Sequence, residues 1–169
     1  MNITIDAALP RDAAAIAVLR NRVAEDMTRE FGAGPWSTRT SKPQVLTQMR
    51  ASQMLVAREG GEIIGTVRLT TPNPHAFDAS AFTPVTSALY VLGLAVASAY
   101  RKRGVGRRLM AAAKQAARDR RAQALWLDVY EHAAGAGPFY RRCGFQVVGP
   151  APGGEPPLTF YEQSLLVSE

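Results

Sequence analysis

Arg101-Lys102-Arg103-Gly104-Val105-Gly106 decides how this chain of 169 residues is read. It stands between Ala88–Val96, an almost wholly apolar run, and a stretch in which Leu109, Ala113, Ala116 and Ala117 share one helical face. The apolar run is short and is followed by turn and basic residues, which predicts a strand buried on both faces. The stretch after Gly106 predicts an amphipathic helix, with Arg108, Lys114, Gln115 and Arg118 largely off the apolar face. Leu125, Leu127 and Val129 mark a further strand over Ala124–Tyr130, which completes a right-handed β-α-β unit with parallel strands.

The turn itself has two readings. In one, Gly104 and Gly106 only shape a tight strand-to-helix connection and the arginines are solvated. In the other, it holds a phosphate: a helix N-terminus leaves backbone N–H groups unpaired and carries about half a positive charge. Glycines let that backbone approach a ligand, and arginines add charge-assisted bonds to its oxygens. Other phosphate motifs fit worse. No Walker Gly-Lys-Ser/Thr ending is present, and Leu109 occupies the third glycine position of the dinucleotide pattern.

Charge is concentrated at the same place. The net charge is +6, yet Arg101–Arg121 alone carries nine Lys or Arg and one acid, Asp119, while the other 148 residues carry 11 basic and 13 acidic side chains. A compact cationic stretch beside a glycine turn suits a small polyanion better than a long nucleic-acid backbone, so no nucleic-acid partner is expected. With 47% apolar and 20% charged residues, the composition is that of a folded domain and not of a disordered chain. No window approaches twenty uninterrupted apolar residues and no leader pattern opens the chain, so no membrane partner and a cytoplasmic address are expected. Cys143 is the only cysteine, which excludes an internal disulfide and a multi-cysteine metal site; no metal is expected.

Outward from the central unit the pattern stays regular. Ile3–Asp6 predicts a strand, and Pro10-Arg11-Asp12 opens a helix with Ile16, Leu19, Val23 and Met27 on one face. Residues 31–42 read as a loop and 43–51 as a second short helix. Met54–Arg58 and Ile63–Thr70 predict an antiparallel hairpin turned by Glu59-Gly60-Gly61-Glu62. Thr71–Pro84, with three prolines, reads as a surface loop. Pro138–Cys143 predicts a short helix stopped by Gly144, then come a strand at Phe145–Val148, a loop at Gly149–Pro157 and a last strand at Leu158–Leu166.

Leu94-Ala95-Val96 followed by Arg101-Lys102-Arg103-Gly104-Val105-Gly106 resembles the signature Gln/Arg-x-x-Gly-x-Gly/Ala that follows the fourth strand of the GNAT N-acetyltransferase family. Phe139-Tyr140-Arg141-Arg142-Cys143-Gly144-Phe145 resembles its later Phe-Tyr-x-x-x-Gly-Phe segment, at matching spacing. The resemblance implies a three-layer α+β or α/β fold: a mixed, mostly antiparallel sheet with a parallel central β-α-β unit and flanking helices, in one domain over residues 1–169.

It also implies acetyl-CoA as co-substrate, lying in a wedge between splayed strands Ala88–Val96 and Ala124–Tyr130. The cofactor-binding residues it implies are Leu94, Ala95 and Val96, whose main chain pairs with pantetheine, and Arg101, Arg103, Gly104, Val105, Gly106 and Arg107 around the pyrophosphate. Tyr140 becomes the general acid that meets the departing thiolate, against the alternative of an amphipathic aromatic at a helix edge. The implied reaction is direct attack of a primary amine, on a small molecule or a peptide, upon the thioester. A homodimeric assembly stays open.

The chain departs from the family in two places. Tyr90–Gly93 offers no strand carboxylate to act as base, so Asp128, Glu131, His132, Asp26, Glu30 and a relaying water all stay open. Ala133-Ala134-Gly135-Ala136-Gly137-Pro138 replaces the usual side-chain contact and regular helix before the Phe-Tyr pair. These departures motivate the alternative of a non-catalytic acyl-CoA-binding regulatory module. Cys143 reads as packing and not as a nucleophile, because the sequence identifies no base to activate it. The acceptor is expected to meet residues 25–42 and 71–84.

Overall fold

The computed structural model describes residues 1–72 and 78–167. Seven strands, β1 (Ile3–Ala7), β2 (Gln53–Glu59), β3 (Glu62–Thr70), β4 (Ala88–Val96), β5 (Ala124–Tyr130), β6 (Gln146–Ala151) and β7 (Leu158–Ser164), alternate with four helices. The helices are α1 (Ala13–Phe31), α2 (Lys42–Ala51), α3 (Val105–Asp119) and α4 (Gly137–Arg142). The strands are hydrogen-bonded in the order β1-β2-β3-β4-β5-β7-β6. The β4–β5 pair is parallel, and β1–β2, β2–β3, β5–β7 and β6–β7 are antiparallel. This is the mixed sheet that the resemblance implies, with the parallel unit that the sequence pattern predicts.

The chain forms two compact units, Met1–Leu69 with Leu92–Ala113, and Thr70–Val91 with Lys114–Glu169. In the first, Ile16, Leu19 and Val23 of α1 join Val45 of α2, Met54 and Val56 of β2, Ile63 of β3 and Ala95 of β4 in one apolar core. α2 starts on a capping box, where Ser41 Oγ accepts from the Gln44 N–H and the Gln44 side chain accepts from the Ser41 N–H. The Gly60-Gly61 hairpin forms as predicted, with a bulge at Ala57/Arg58. β3 also seats α3: a Cβ on Gly65 would lie 2.9 Å from Leu109 Cδ1 and 3.2 Å from Val105 Cγ1. The start of α3 can approach the strand this closely only where no side chain intervenes.

In the second unit, β5 is buried on both faces from Ala124 to Leu127. Trp126 stacks on Phe82, with ring centroids 4.3 Å apart, and Phe82 also packs against Phe160 at 4.8 Å. The chain entering β4 is tied down by polar bonds from Thr83 to Glu162 and from Thr86 to Gln123. A short 3-10 turn, Ala79–Ala81, lies within the segment predicted as loop. Residues 73–77 of that predicted loop lie outside the described residues.

Three expectations need correcting. β4 is buried at Leu89–Val91, but Leu92 and Leu94 are only half-buried and Gly93 is exposed. Gly93 adopts φ +64°, which interrupts the strand's alternation and opens its second half. The predicted loop after Val148 begins later, since β6 runs on to Ala151 by means of a register shift between Val147 and Gly149. α3 begins at Val105, which places Gly106 inside its first turn.

A buried acid fixes the entry to α1. Asp12, 6% exposed, accepts from the Leu9 N–H at 2.8 Å and from Arg58 Nη2 at 2.7 Å. The Arg58 bond, helped by the Leu9 N–H and opposed by burial, holds its carboxyl below the usual carboxylate range. A carboxylate depressed on folding stabilises the fold above its unfolded titration, and that contribution is lost as pH falls. We expect Asp12→Asn to cost about 2 kcal/mol in urea unfolding at neutral pH. The deficit relative to the parent shrinks as both are acidified through the carboxylate range.

Candidate active site

The first unit carries Leu94–Val96 and Arg101–Arg107 on one short path from β4 into α3. Ala95 is buried, Leu94 and Val96 are half-buried, and the Ala97 N–H donates to Ile64 O at 2.9 Å, so β4 remains tied to β3 at its end. The parallel β4–β5 ladder covers Ala88↔Ala124, Leu89↔Leu125 and Tyr90↔Trp126. A 3-10 turn at Ser98–Tyr100 then leads into the basic segment.

Within that segment Lys102 has φ +60° and Gly104 φ +82°. Left-handed backbone is uncommon for a residue with a Cβ and recurs where function holds it. The Arg108 N–H donates to Gly104 O at 3.0 Å as the first helical bond of α3. Val105, Gly106 and Arg107 therefore have N–H groups with no acceptor within the helix. Arg101, Arg103, Gly104 and Arg107 are exposed around them, whereas Val105 is buried as the anchor of the turn. Arg101 Nη1 lies 4.0 Å from Glu30 Oε2, Arg103 sits over the Tyr100 ring at 5.7 Å, and Arg108 Nη2 donates to Ile3 O at 2.6 Å. Exposed guanidiniums beside unpaired amides and a helix dipole form an anion cradle.

Tyr140 lies in the second unit, on the six-residue helix α4, and is half-buried. Its N–H donates to Ala136 O at 3.1 Å, and its carbonyl accepts from the Cys143 and Phe145 N–H groups, each at 3.0 Å. Phe139 and Phe145 meet its ring edge to face, with centroids at 5.2 and 5.7 Å. Burial first, then the charges of Cys143 and Asp128, push its hydroxyl above the ordinary tyrosine range.

The base candidates separate on their contacts. Asp26 accepts from Ser98 Oγ and from Arg29 Nη1, bonds that hold it below the usual carboxylate range. Glu131 accepts from Thr159 Oγ1, and His132 Nδ1 accepts from the Ala134 N–H at 3.0 Å. Asp128 is exposed on β5 and accepts from the hydroxyl of buried Tyr90 on β4. Its charge also raises the titration of Tyr90, Tyr130 and Tyr140, so one carboxylate influences three phenols. Tyr90 is the residue that a search of β4 for carboxylates passes over. Its one sequence signal is a hydroxyl within an otherwise apolar strand.

The segment before α4 also has a steric explanation. The Gly135 N–H closes a turn onto His132 O at 2.8 Å, and a Cβ there would lie 2.0 Å from Tyr130 O. A Cβ on Gly137 would lie 2.8 Å from the Tyr161 hydroxyl. Close packing against β5 and β7 replaces a longer helix. Cys143 is buried beneath α4, and its carbonyl accepts from Lys114 Nζ, in keeping with packing.

The model of the acetyltransferase (GNAT) family matches residues 20–145, well over half of the chain, and the chain belongs to that family. No curated protein matches the chain in sequence. Its fold is similar to that of ribosomal-protein-alanine N-acetyltransferase from Brucella melitensis, at 21% identity and a TM-score of 0.74 over 95% of this chain and 99% of that one. It is similar to an acetyltransferase of the GNAT family from Streptococcus pneumoniae, at 19% identity and 0.72 over 96% and 99%. It also resembles yncA of Salmonella typhimurium, solved with its cofactor acetyl-CoA, at 21% identity and 0.71 over 96% and 94%. Among the described residues no helix is long and apolar enough to cross a membrane.

Two glycines test the geometry. Gly135→Ala drives a Cβ into a carbonyl and is expected to cost at least about 2 kcal/mol in thermal melting. Gly104→Ala meets open space but holds a left-handed residue, so a smaller loss, about 1 kcal/mol, is expected.

Proposed function

We propose that the protein transfers an acetyl group from acetyl-CoA to a primary amine of a small molecule or peptide. The observation that carries this reading is the first turn of α3, whose unpaired amides at Val105, Gly106 and Arg107 are ringed by Arg101, Arg103 and Arg107. Those amides donate to the pyrophosphate oxygens, and the guanidiniums supply the counter-charge. The main chain of Leu94, Ala95 and Val96 pairs with the pantetheine amides as an added strand would, so these side chains need only pack.

In the reaction the amine lone pair attacks the thioester carbonyl carbon, a C–N bond forms, and the C–S bond breaks. Tyr140 gives its proton to the departing sulfur. Asp128 takes the proton released from the amine nitrogen, directly or through one water. Its support is its exposed place on β5 and the reach of its charge to the Tyr140 hydroxyl. Ordering the two reactants supplies most of the remaining acceleration.

Acetyl-CoA at about a hundred times its dissociation constant is expected to stabilise the fold by roughly 2.7 kcal/mol, read as a rise in melting temperature. A melting curve that acetyl-CoA leaves unmoved removes the reading. Tyr140→Phe is expected to lower kcat by about a hundred- to ten-thousand-fold while the melting shift persists. Unchanged turnover would strip Tyr140 of its role, and a melting shift with no amine ever acetylated would favour a binding module.

A further inference from the structure

Arg68 is the only charged side chain in the run Ile63–Leu69 of β3, and Arg20 follows the buried Leu19 on α1. Both are half-buried, and their guanidiniums meet over Gly93 of β4. A Cβ built on Gly93 would lie 3.4 Å from Arg20 Nη2 and 3.6 Å from Arg68 Nε. Gly93 itself is exposed, so the two cations lie next to a solvent-facing stretch of β4.

The protein does little to neutralise this pair. Arg20 Nη1 donates to Gln48 Oε1 at 2.5 Å and Nη2 reaches Met54 Sδ at 4.0 Å, both uncharged partners. The Nε atoms of Arg20 and Arg68 are buried without an acceptor, and among the described residues neither guanidinium is in an ion pair. Burial lowers the titration of both, and the neighbouring charge of Arg68 brings Arg20 down further, to about 10. Two half-buried like charges held close together, with no carboxylate of their own, gain from an external anion.

The location gives that anion a purpose. Gly93 immediately precedes Leu94, where the main chain is assigned to the pantetheine arm of the co-substrate. An acceptor anchored at Gly93 is therefore held beside the strand end that presents the acyl group. Guanidinium favours the planar carboxylate over spherical anions, because its fork matches two oxygens.

We propose that Arg20 and Arg68 bind the carboxylate of the acceptor, so that the amine substrate is an amino-acid-like zwitterion. This rests on the acetyl-transfer reading above. The two positions select the substrate and do not take part in proton transfer.

The test follows acetyl-dependent thiol release by the full chain with three sets of amines. These are the common amino acids as free acids, the same amino acids as carboxamides, and phosphoethanolamine. Free acids are expected to exceed their carboxamides in kcat/KM by about 10- to 100-fold. Arg68→Gln is expected to bring the acids down to the carboxamide level while leaving the KM for acetyl-CoA unchanged, and Arg68→Lys to keep part of the preference. Because no protein carboxylate loses a partner, Arg68→Gln is expected to melt at or above the parent temperature. A marked fall would make the pair structural and overturn the proposal. Carboxamides matching the acids, phosphoethanolamine surpassing every acid, an unchanged acid-to-amide ratio in Arg68→Gln, or no turnover of any acid would each overturn it as well. The acetyl-CoA melting shift, read on the same samples, separates the two claims: a shift without acid turnover sinks the acceptor proposal alone, and no shift sinks the transfer reading beneath it.

Discussion

The contact of α3 with Gly65 of β3 governs much of what the first unit can do. Val105 and Leu109 press against the strand at a position that has no side chain, and both are fully buried. That contact sets where α3 begins, and with it the direction of the unpaired amides of its first turn. The arginines around the turn supply charge, but they are long and exposed and cannot by themselves fix a geometry. A buried apolar contact beneath and an exposed cationic rim above divide the work in the proposed anion site.

The second unit solves a different problem, the placing of a phenol. α4 has too few residues to be stable alone, since nucleating a helix costs more than one turn returns. Its position comes from outside: from the turn that Gly135 closes against β5, from Gly137 over Tyr161, and from Gly144 over Gln163 of β7. Tyr140 then sits between two aromatic edges and within the field of Asp128. The burial that raises its titration arises from the same packing that locates it.

Legibility in the sequence followed the range of the interaction. The β4–turn–α3–β5 unit could be read because the period of apolar residues changes from strand to helix and back within Ala88–Tyr130. The hairpin was marked by adjacent glycines, and the cationic turn by local charge. What stayed hidden depends on residues far apart in the chain. Nothing in the neighbourhood of Arg20 or Arg68 shows that they converge on Gly93, and the partnership of Tyr90 with Asp128 requires the β4–β5 register. Gly93 and Gly149 mislead for a related reason. Gly93 reads as part of a strand buried on both faces and Gly149 as a loop start, whereas here one opens half of β4 and the other lets β6 continue past a register shift. The six-residue α4 was anticipated from its glycines and proline, but the cause, backbone contact with Tyr130, lies in three dimensions.

Tyr161 and Gln163 of β7 form the bed on which α4 rests. Arg141 lies over the Tyr161 ring at 5.7 Å, and Gln163 crowds the space beneath Gly144. A change of volume at either position would tilt α4 and move the Tyr140 hydroxyl without altering any reacting group. The last strand therefore works as an adjusting screw for this phenol, whose position can be shifted by volume changes in β7 with α4 itself unaltered.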